Sequence, residues 1–352
     1  MTALPSVSEL AGLAARLGRR IQLMEVCGTH TMSAFRSGLR SLLPENVALL
    51  SGPGCPVCVT PNHFIDRAVQ LATAPDTVVT TFGDMMRVPG SHASLEKARA
   101  QGAAVKVVYS PLDALEEARR HPELKVVFLG VGFETTAPTT AWAVQEARRS
   151  VPNFSVLCAH KTMPEAMAAL LRSGEVRIDG FLCPGHVSVV IGAGAYRGLV
   201  EEFGIPCVIT GFEGGDMVRG IEMALRQVVE GRAEVEIQYT RSVTWEGNAR
   251  ARAALADVFE EDDAEWRGLG MIPRSGLKIR HAYAGQDADR VFAAVPRQPP
   301  VEPAGCRCGD VLRGAIAPPQ CPLFRKICTP ANPVGACMVS SEGTCAAYYK
   351  YQ

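Results

Sequence analysis

Short apolar runs alternate with longer amphipathic stretches along the first two-thirds of the chain, and this alternation restricts the possible folds more than any other feature. Ile21 to Val26 and Val47 to Leu50 read as strands, as do 77–81, 104–109 and 125–130, with helical patterns near 92–101 and 111–120. Ser6-x-x-Glu9 reads as a capping box that opens a short helix rich in Ala and Leu. Strands separated by helices need crossover connections, so the expected class is α/β with mainly parallel sheets. In open sheets of this kind, ligands gather beyond the carboxyl ends of the strands. The loops that follow the strands are therefore the first places to look for chemistry.

Those loops repeat. At a separation of 131 residues, Val26-Cys-Gly-Thr-His-Thr-Met32 faces Leu157-Cys-Ala-His-Lys-Thr-Met163, and Pro53-Gly54-Cys55 faces Pro184-Gly185-His186. With one further residue, Asp84-Met85-Met86-Arg87 faces Asp216-Met217-Val218-Arg219. Three motifs in one order imply two similar α/β halves, 21–150 and 151–240, whose loops face one cleft. Cys55 and Cys58 give that cleft a thiol-rich wall, and His186 gives it an imidazole-bearing one. Residues 1–20 form an N-terminal helix expected to pack on the tail domain. Residues 241–352 contain a connector and a cysteine-rich tail; the connector has a helix near 248–260, an acidic run from Glu260 to Asp263 and a Pro-rich segment 296–303.

Charge and hydropathy exclude several functions. Lys+Arg and Asp+Glu both number 36, so there is no net field to hold nucleic acid or an anionic membrane. No apolar run approaches the ~20 residues of a transmembrane helix, and the N-terminus does not read as a signal peptide. A cytoplasmic location follows as the expectation. There, twelve cysteines point to metal or redox chemistry rather than structural disulfides.

Six of the twelve, Cys306, Cys308, Cys321, Cys328, Cys337 and Cys345, crowd the tail. Their spacing fits neither paired C-x2-C zinc knuckles nor the compact ferredoxin run, and four thiolates suffice for a cubane cluster; structural zinc is the plainer alternative. Gly54-Cys55-Pro56-Val57-Cys58 precedes Thr60-Pro61, which reads as the N-cap and first-turn proline of a helix through Leu71. A C-x2-C at a helix N-terminus can cycle between dithiol and disulfide or hold a metal, with the helix dipole favouring the Cys58 thiolate. Cys27 closes a strand beside Gly28, and His30 is an acid, base or ligand candidate. His186 is ambiguous between a ligand and a core histidine, and Asp84 between a proton-transfer group and an Asx turn. For Cys158, Cys183 and Cys207 burial is the expected role. The Gly-rich stretches at Gly130 and Gly211 match no nucleotide-binding pattern.

Taken together, MEVCGTHTM, SGPGCPVCVTP, TFGDMMRVPG, GFETTAPTTA, CPGHVS, TGFEGGDM and the tail CPLF…CTP…CMVSSEGTC resemble the motif series of the HypD family, in the family's order, over about residues 21–350. The resemblance implies a [NiFe] hydrogenase maturation factor that works with a small HypC chaperone to assemble an Fe(CN)2CO unit. HypE supplies the cyanide, and the hydrogenase large subunit is served indirectly. It implies Cys27 as the iron-contacting thiolate and Cys55 and Cys58 as a redox-active pair near the iron. It also implies a [4Fe–4S] cluster in the tail, for which Cys306, Cys321, Cys328 and Cys345 are the chosen ligands, with Cys308 and Cys337 as substitutes. A stand-alone iron–sulfur thiol–disulfide oxidoreductase and a zinc-stabilised binding scaffold are the alternatives.

Overall fold

The computed structural model describes residues 5–295 and 299–352. Three residues of the expected Pro-rich segment, 296–298, lie outside the described residues. Eleven strands are present among the described residues: β1 (Ile21–Glu25), β2 (Val47–Ser51), β3 (Thr77–Thr81), β4 (Val105–Val107), β5 (Lys125–Gly130), β6 (Phe154–Cys158), β7 (Gly180–Pro184), β8 (Cys207–Thr210), β9 (Val235–Ile237), β10 (Phe259–Trp266) and β11 (Gly270–Ile279). Nine of them build two wholly parallel sheets, in the orders β2-β1-β7-β8-β9 and β4-β3-β5-β6, and the fold is α/β as the alternation requires.

The sheets are not shared out as the division at residue 150 requires. The chain starts in the first sheet, leaves it after β2, builds the whole second sheet, and returns at β7. The strands matched by the repeat also differ in their places within the two sheets. β1 is paired on both sides, with β2 and β7, whereas β6, the strand before Cys158, is an edge strand of the other sheet. A similarity of loop sequences reports local turn chemistry; strand neighbours are chosen by which apolar faces meet.

The N-terminal helix, Val7–Ala15, has the expected capping box, with Ser6 accepting from the Glu9 N–H. It packs elsewhere than expected. Leu10 and Ala14 are buried with Ile21, Leu23, Val47, Leu182 and Val208 of the first sheet and with Met217, Ile221 and Leu225 of helix Gly214–Glu230, rather than on the tail. Burying two such side chains there contributes a few kcal/mol. The second sheet is covered on one face by Phe64, Ile65, Leu71 and Met85, and on the other by Ala141, Val144 and Tyr283.

The helix expected near 248–260 is present as Ala249–Val258, and the acidic run of the connector forms part of a strand. Glu260 to Asp263 belong to β10, which pairs antiparallel with β11. Their side chains face water while Phe259 and Trp266 at the strand's ends are buried, so the strand lacks the alternation by which it would be recognised. No helix among the described residues is long and apolar enough to cross a membrane.

Candidate functional site

Cys27 lies two residues beyond β1 and occupies the N-cap position of helix Gly28–Arg36. Two glycines set what can approach it. Gly54 lies so close that a Cβ there would stand 2.2 Å from the Cys27 backbone nitrogen, and its carbonyl accepts the Gly28 N–H at 3.0 Å. The loop carrying Cys55 is thereby pressed onto Cys27. Gly28 meets the tail instead: a Cβ there would be 2.5 Å from the Cβ of Glu342. The Thr29 hydroxyl donates to Glu342 Oε1 at 2.7 Å. Glu342 was not singled out from the sequence, although it lies within CMVSSEGTC; nothing local marks it apart from an ordinary surface carboxylate.

A second carboxylate supports the loop from inside. Glu25 is fully buried; it accepts the Cys27 N–H at 3.1 Å and the Thr31 hydroxyl at 2.5 Å. Burial pushes its carboxyl up to about 7, against the hydrogen bonds of Ser51 and Thr31. The Cys27 thiol is pushed up to about 12, first by desolvation, with the charges of Glu342 and Glu25 adding to it and the N–H groups of His30 and Thr29 opposing. In the free protein Cys27 is thus a protonated thiol, and it must release a proton to bind a metal.

His30 is buried, and its Nε2 donates to the Thr210 carbonyl at 3.0 Å, which leaves Nδ1 as a buried acceptor without a partner among the described residues. Burial lowers its pKa to about 4, so the ring is neutral. Phe212 lies beside it, 5.1 Å away between ring centroids, and stacks on His186 at 3.9 Å. His186 therefore joins the Cys27 neighbourhood, but not from an opposing wall: it follows β7, which is hydrogen-bonded directly to β1. Asp84 is exposed and accepts from Ser340 Oγ at 3.0 Å, which ties the β3 loop to the tail segment bearing Glu342. Asp216 is held by Arg241 and Gln238, which keep its carboxyl below the usual range, and serves the cap of its own helix. Cys158, on the other sheet, donates to the Leu277 carbonyl.

Cys55 and Cys58 form a disulfide, and both are buried. The helix after them begins at Asn62 with Pro61 at the N-cap position; Thr60 caps nothing, because its hydroxyl donates to the Pro56 carbonyl. Cys58 is consequently too far from the helix start for the dipole argument. The nearer polar contact is the Cys58 N–H, which points at Cys55 Sγ from 3.1 Å.

In the tail, all six cysteines line one small enclosed space, walled by Val311, Leu323, Phe324 and Met338. Cys337 Sγ lies 3.0 Å from both Cys308 Sγ and Cys345 Sγ, and Gly335 leaves room for the Cys306 sulfur. Mutual contact and burial raise the thiols of Cys306, Cys308 and Cys337. Such a cage of soft donors suits a thiophilic metal group. Glu342 lies between Cys337 and Cys345, so one short segment connects the cage to the Cys27 loop. Cys55, Cys58, Cys308, Cys328, Cys337 and Cys345 share one continuous core.

Comparison with known proteins agrees over the whole length. The HypD family model, described as "Hydrogenase formation hypA family", matches residues 3–352. Among similar proteins is the "Hydrogenase maturation factor HypD" of Cupriavidus necator, 51% identical over 346 residues that cover 96% of this chain and 91% of that protein. Proteins of the same name from Rhodobacter capsulatus (49% over 354 residues, 98% and 94% covered) and Escherichia coli K12 (48% over 336 residues, 95% and 90% covered) are similar as well.

Proposed function

The chain belongs to the HypD family of hydrogenase maturation proteins, and from that membership we propose that it is the scaffold on which an Fe(CN)2CO unit is assembled for a [NiFe] hydrogenase. Its partners in this reading are a small HypC-like chaperone and a HypE-like cyanide donor, with the hydrogenase large subunit served indirectly. The work takes place in the cytoplasm, where thiols stay reduced.

The observation that carries the reading is the convergence of three motifs on Cys27: its own loop, the Gly54 loop that leads into Cys55, and the tail segment at Glu342. The iron unit is the cargo. Cys27 takes it as a thiolate, losing one proton, and the positive iron then offsets the Glu342 charge that opposes the thiolate. His30, neutral and fixed by the Thr210 carbonyl, offers a lone pair without adding charge. The Cys55–Cys58 bridge is a two-electron reservoir next to the cargo: its reduction takes two electrons and two protons and gives two thiols.

The tail cage fits a resident [4Fe–4S] cluster by its donor set and apolar walls. Such a cluster supplies single electrons when bound. Cys337 and Cys345 are proposed as two of its four ligands, ahead of the half-exposed Cys306 and Cys321, because Cys337 is buried between two sulfurs at 3.0 Å. The choice moves Cys337 from substitute to ligand; Cys328, buried with its sulfur accepting the Val334 N–H, is the next candidate.

Infrared spectroscopy of the anaerobic complex with the small partner tests the proposal. Cyanide and carbonyl bands are expected in the wild type and absent in Cys27→Ala, while the cluster absorption persists in both. Cys55→Ala and Cys58→Ala are expected to stop maturation without removing the cluster. Bands of wild-type intensity in Cys27→Ala would refute the iron assignment and favour a stand-alone thiol–disulfide oxidoreductase, a reading that the burial of Cys55 and Cys58 disfavours. Zinc in place of iron and sulfide in the purified chain would favour the binding scaffold.

A further inference from the structure

The stretch GFETTAPTTA has no part in the chemistry above, yet it contributes a buried acid to a separate cleft. That cleft, of about 960 Å³, lies between helix Ala249–Val258, the β10–β11 hairpin and the start of helix Met163–Ser173. Its walls are largely apolar, with Ile191, Leu255, Phe259 and Leu277 among them. Glu134 lines it while being only 3% exposed. Glu134 Oε1 accepts the Met163 N–H at 2.9 Å, which caps a helix whose own N-cap residue, Thr162, makes no side-chain cap bond. Glu134 Oε2 is buried and has no partner among the described residues. Buried polar atoms are almost always satisfied, so an unpaired carboxylate oxygen bordering a cleft marks a place for a donor.

The surrounding charges say which kind. Arg252, Arg274 and Arg280 face the cleft together with Glu134, Glu165, Glu260 and Glu261. Each arginine is already engaged: Arg274 with Glu165 at 3.0 Å, Arg280 with Glu260 at 3.8 Å and two backbone carbonyls, and Arg252 with the Glu246 carbonyl. Glu134 and Glu261 are the two carboxylates of the cleft with no cation of their own among the described residues. An anion brought here would meet an unpaired carboxylate, with Arg274 and Arg280 already held by carboxylates and Arg252 turned to the Glu246 carbonyl. We propose that this cleft is a binding site for an aliphatic ammonium or guanidinium group, whose N–H pairs with Glu134 Oε2 while its alkyl chain lies against Leu255, Phe259 and Leu277. The group comes either from a free polyamine or from a lysine or arginine of a partner protein; the recognition chemistry is the same. Desolvation, which raises the Glu134 carboxyl to about 7, makes a paired cation more welcome than water alone.

Glu134→Gln separates this role from capping, because the amide oxygen still accepts the Met163 N–H while an NH2 replaces the free oxygen. The full-length protein is titrated anaerobically at pH 8 and low salt with spermidine, with butylguanidinium, and with a capped Ala-Leu-Lys-Leu-Ala peptide. Saturable one-to-one binding of at least one probe is expected, weakened about tenfold or more in Glu134→Gln and several-fold in Leu255→Ser, which trims the half-buried wall without touching Glu134. Circular dichroism of both variants should match the wild type. Tighter binding of spermidine points to a free polyamine, and tighter binding of the peptide to a protein segment. If no probe binds up to about 10 mM, or if Glu134→Gln binds as the wild type does, Glu134 is a helix cap only and the proposal falls.

Discussion

Gly54→Ala is the sharpest test of the convergence on Cys27. The new methyl would start 2.2 Å from the Cys27 nitrogen and 2.4 Å from its Cα, both backbone atoms that cannot swing away as a side-chain tip does. Reaching an ordinary contact of about 3.4 Å requires the two loops to part by roughly 1.2 Å, in the range where overpacking costs about 1–3 kcal/mol. The same movement stretches the Gly28 N–H bond to the Gly54 carbonyl, now 3.0 Å, which is worth about 0.5–1.5 kcal/mol. A total of about 2–4 kcal/mol is expected, a loss that leaves the protein folded at 25 °C. The urea midpoint should fall accordingly, the cyanide and carbonyl bands should be lost, and the tail cluster should be unchanged. Gly12→Ala is the control: that glycine lies inside a helix with nothing within 4 Å of the added carbon, and the substitution should stabilise by about 0.5–1 kcal/mol. If Gly54→Ala assembles the iron unit at the wild-type rate, contact between the Cys55 loop and Cys27 is irrelevant to the chemistry.

Other consequences can be measured separately. Glu342→Ala removes a charge that raises the Cys27 thiol, so alkylation of Cys27 near pH 9 should speed up; an unchanged or slower rate contradicts the placement of Glu342. Cys337→Ser should remove more of the cluster's visible absorption than Cys321→Ser, because Cys337 touches two sulfurs and Cys321 is half-exposed at the edge; the reverse order argues against Cys337 as a ligand. For Glu134, a folded carboxyl raised from 4.5 to about 7 holds its proton longer than the unfolded one, so its contribution to stability is complete below about pH 4.5 and fades as pH rises through 7. Relative to Glu134→Gln, the wild type should lose up to about 3 kcal/mol between those limits; parallel denaturation profiles would show that the group is not desolvated. His160, held by Thr140 and the Gly132 carbonyl and lowered by burial to about 4, acts with the opposite sign: its contribution is complete above about pH 6.5 and lost as pH falls toward 4, so His160→Gln should flatten the acid limb of the denaturation profile.

The sequence alone determined the first five strands and the chemical inventory. Apolar runs bounded by helix caps placed β3 and β5 at 77–81 and 125–130 and the helix at 111–120, because these depend on periodicity and on capping side chains a few residues away. The thiols that line the cage, and Cys27 at a strand end, were legible because cysteine is scarce and its spacing restricts what it can bind. Tertiary structure decided which elements became neighbours. Strand order was beyond reach: β1 pairs with β7, more than 150 residues away, through the meeting of apolar faces that many strands of the chain share. Glu342 entered the Cys27 site for a similar reason, brought by the folding of the tail against Gly28 and not by anything in its own surroundings along the chain. The repeat at 131 residues agrees with two α/β sheets but leaves their strand order open, because it records loop chemistry, which two different sheets can present equally well. Local order is written in nearest neighbours along the chain; the site depends on contacts across it, whose free energy exists only once the core has closed.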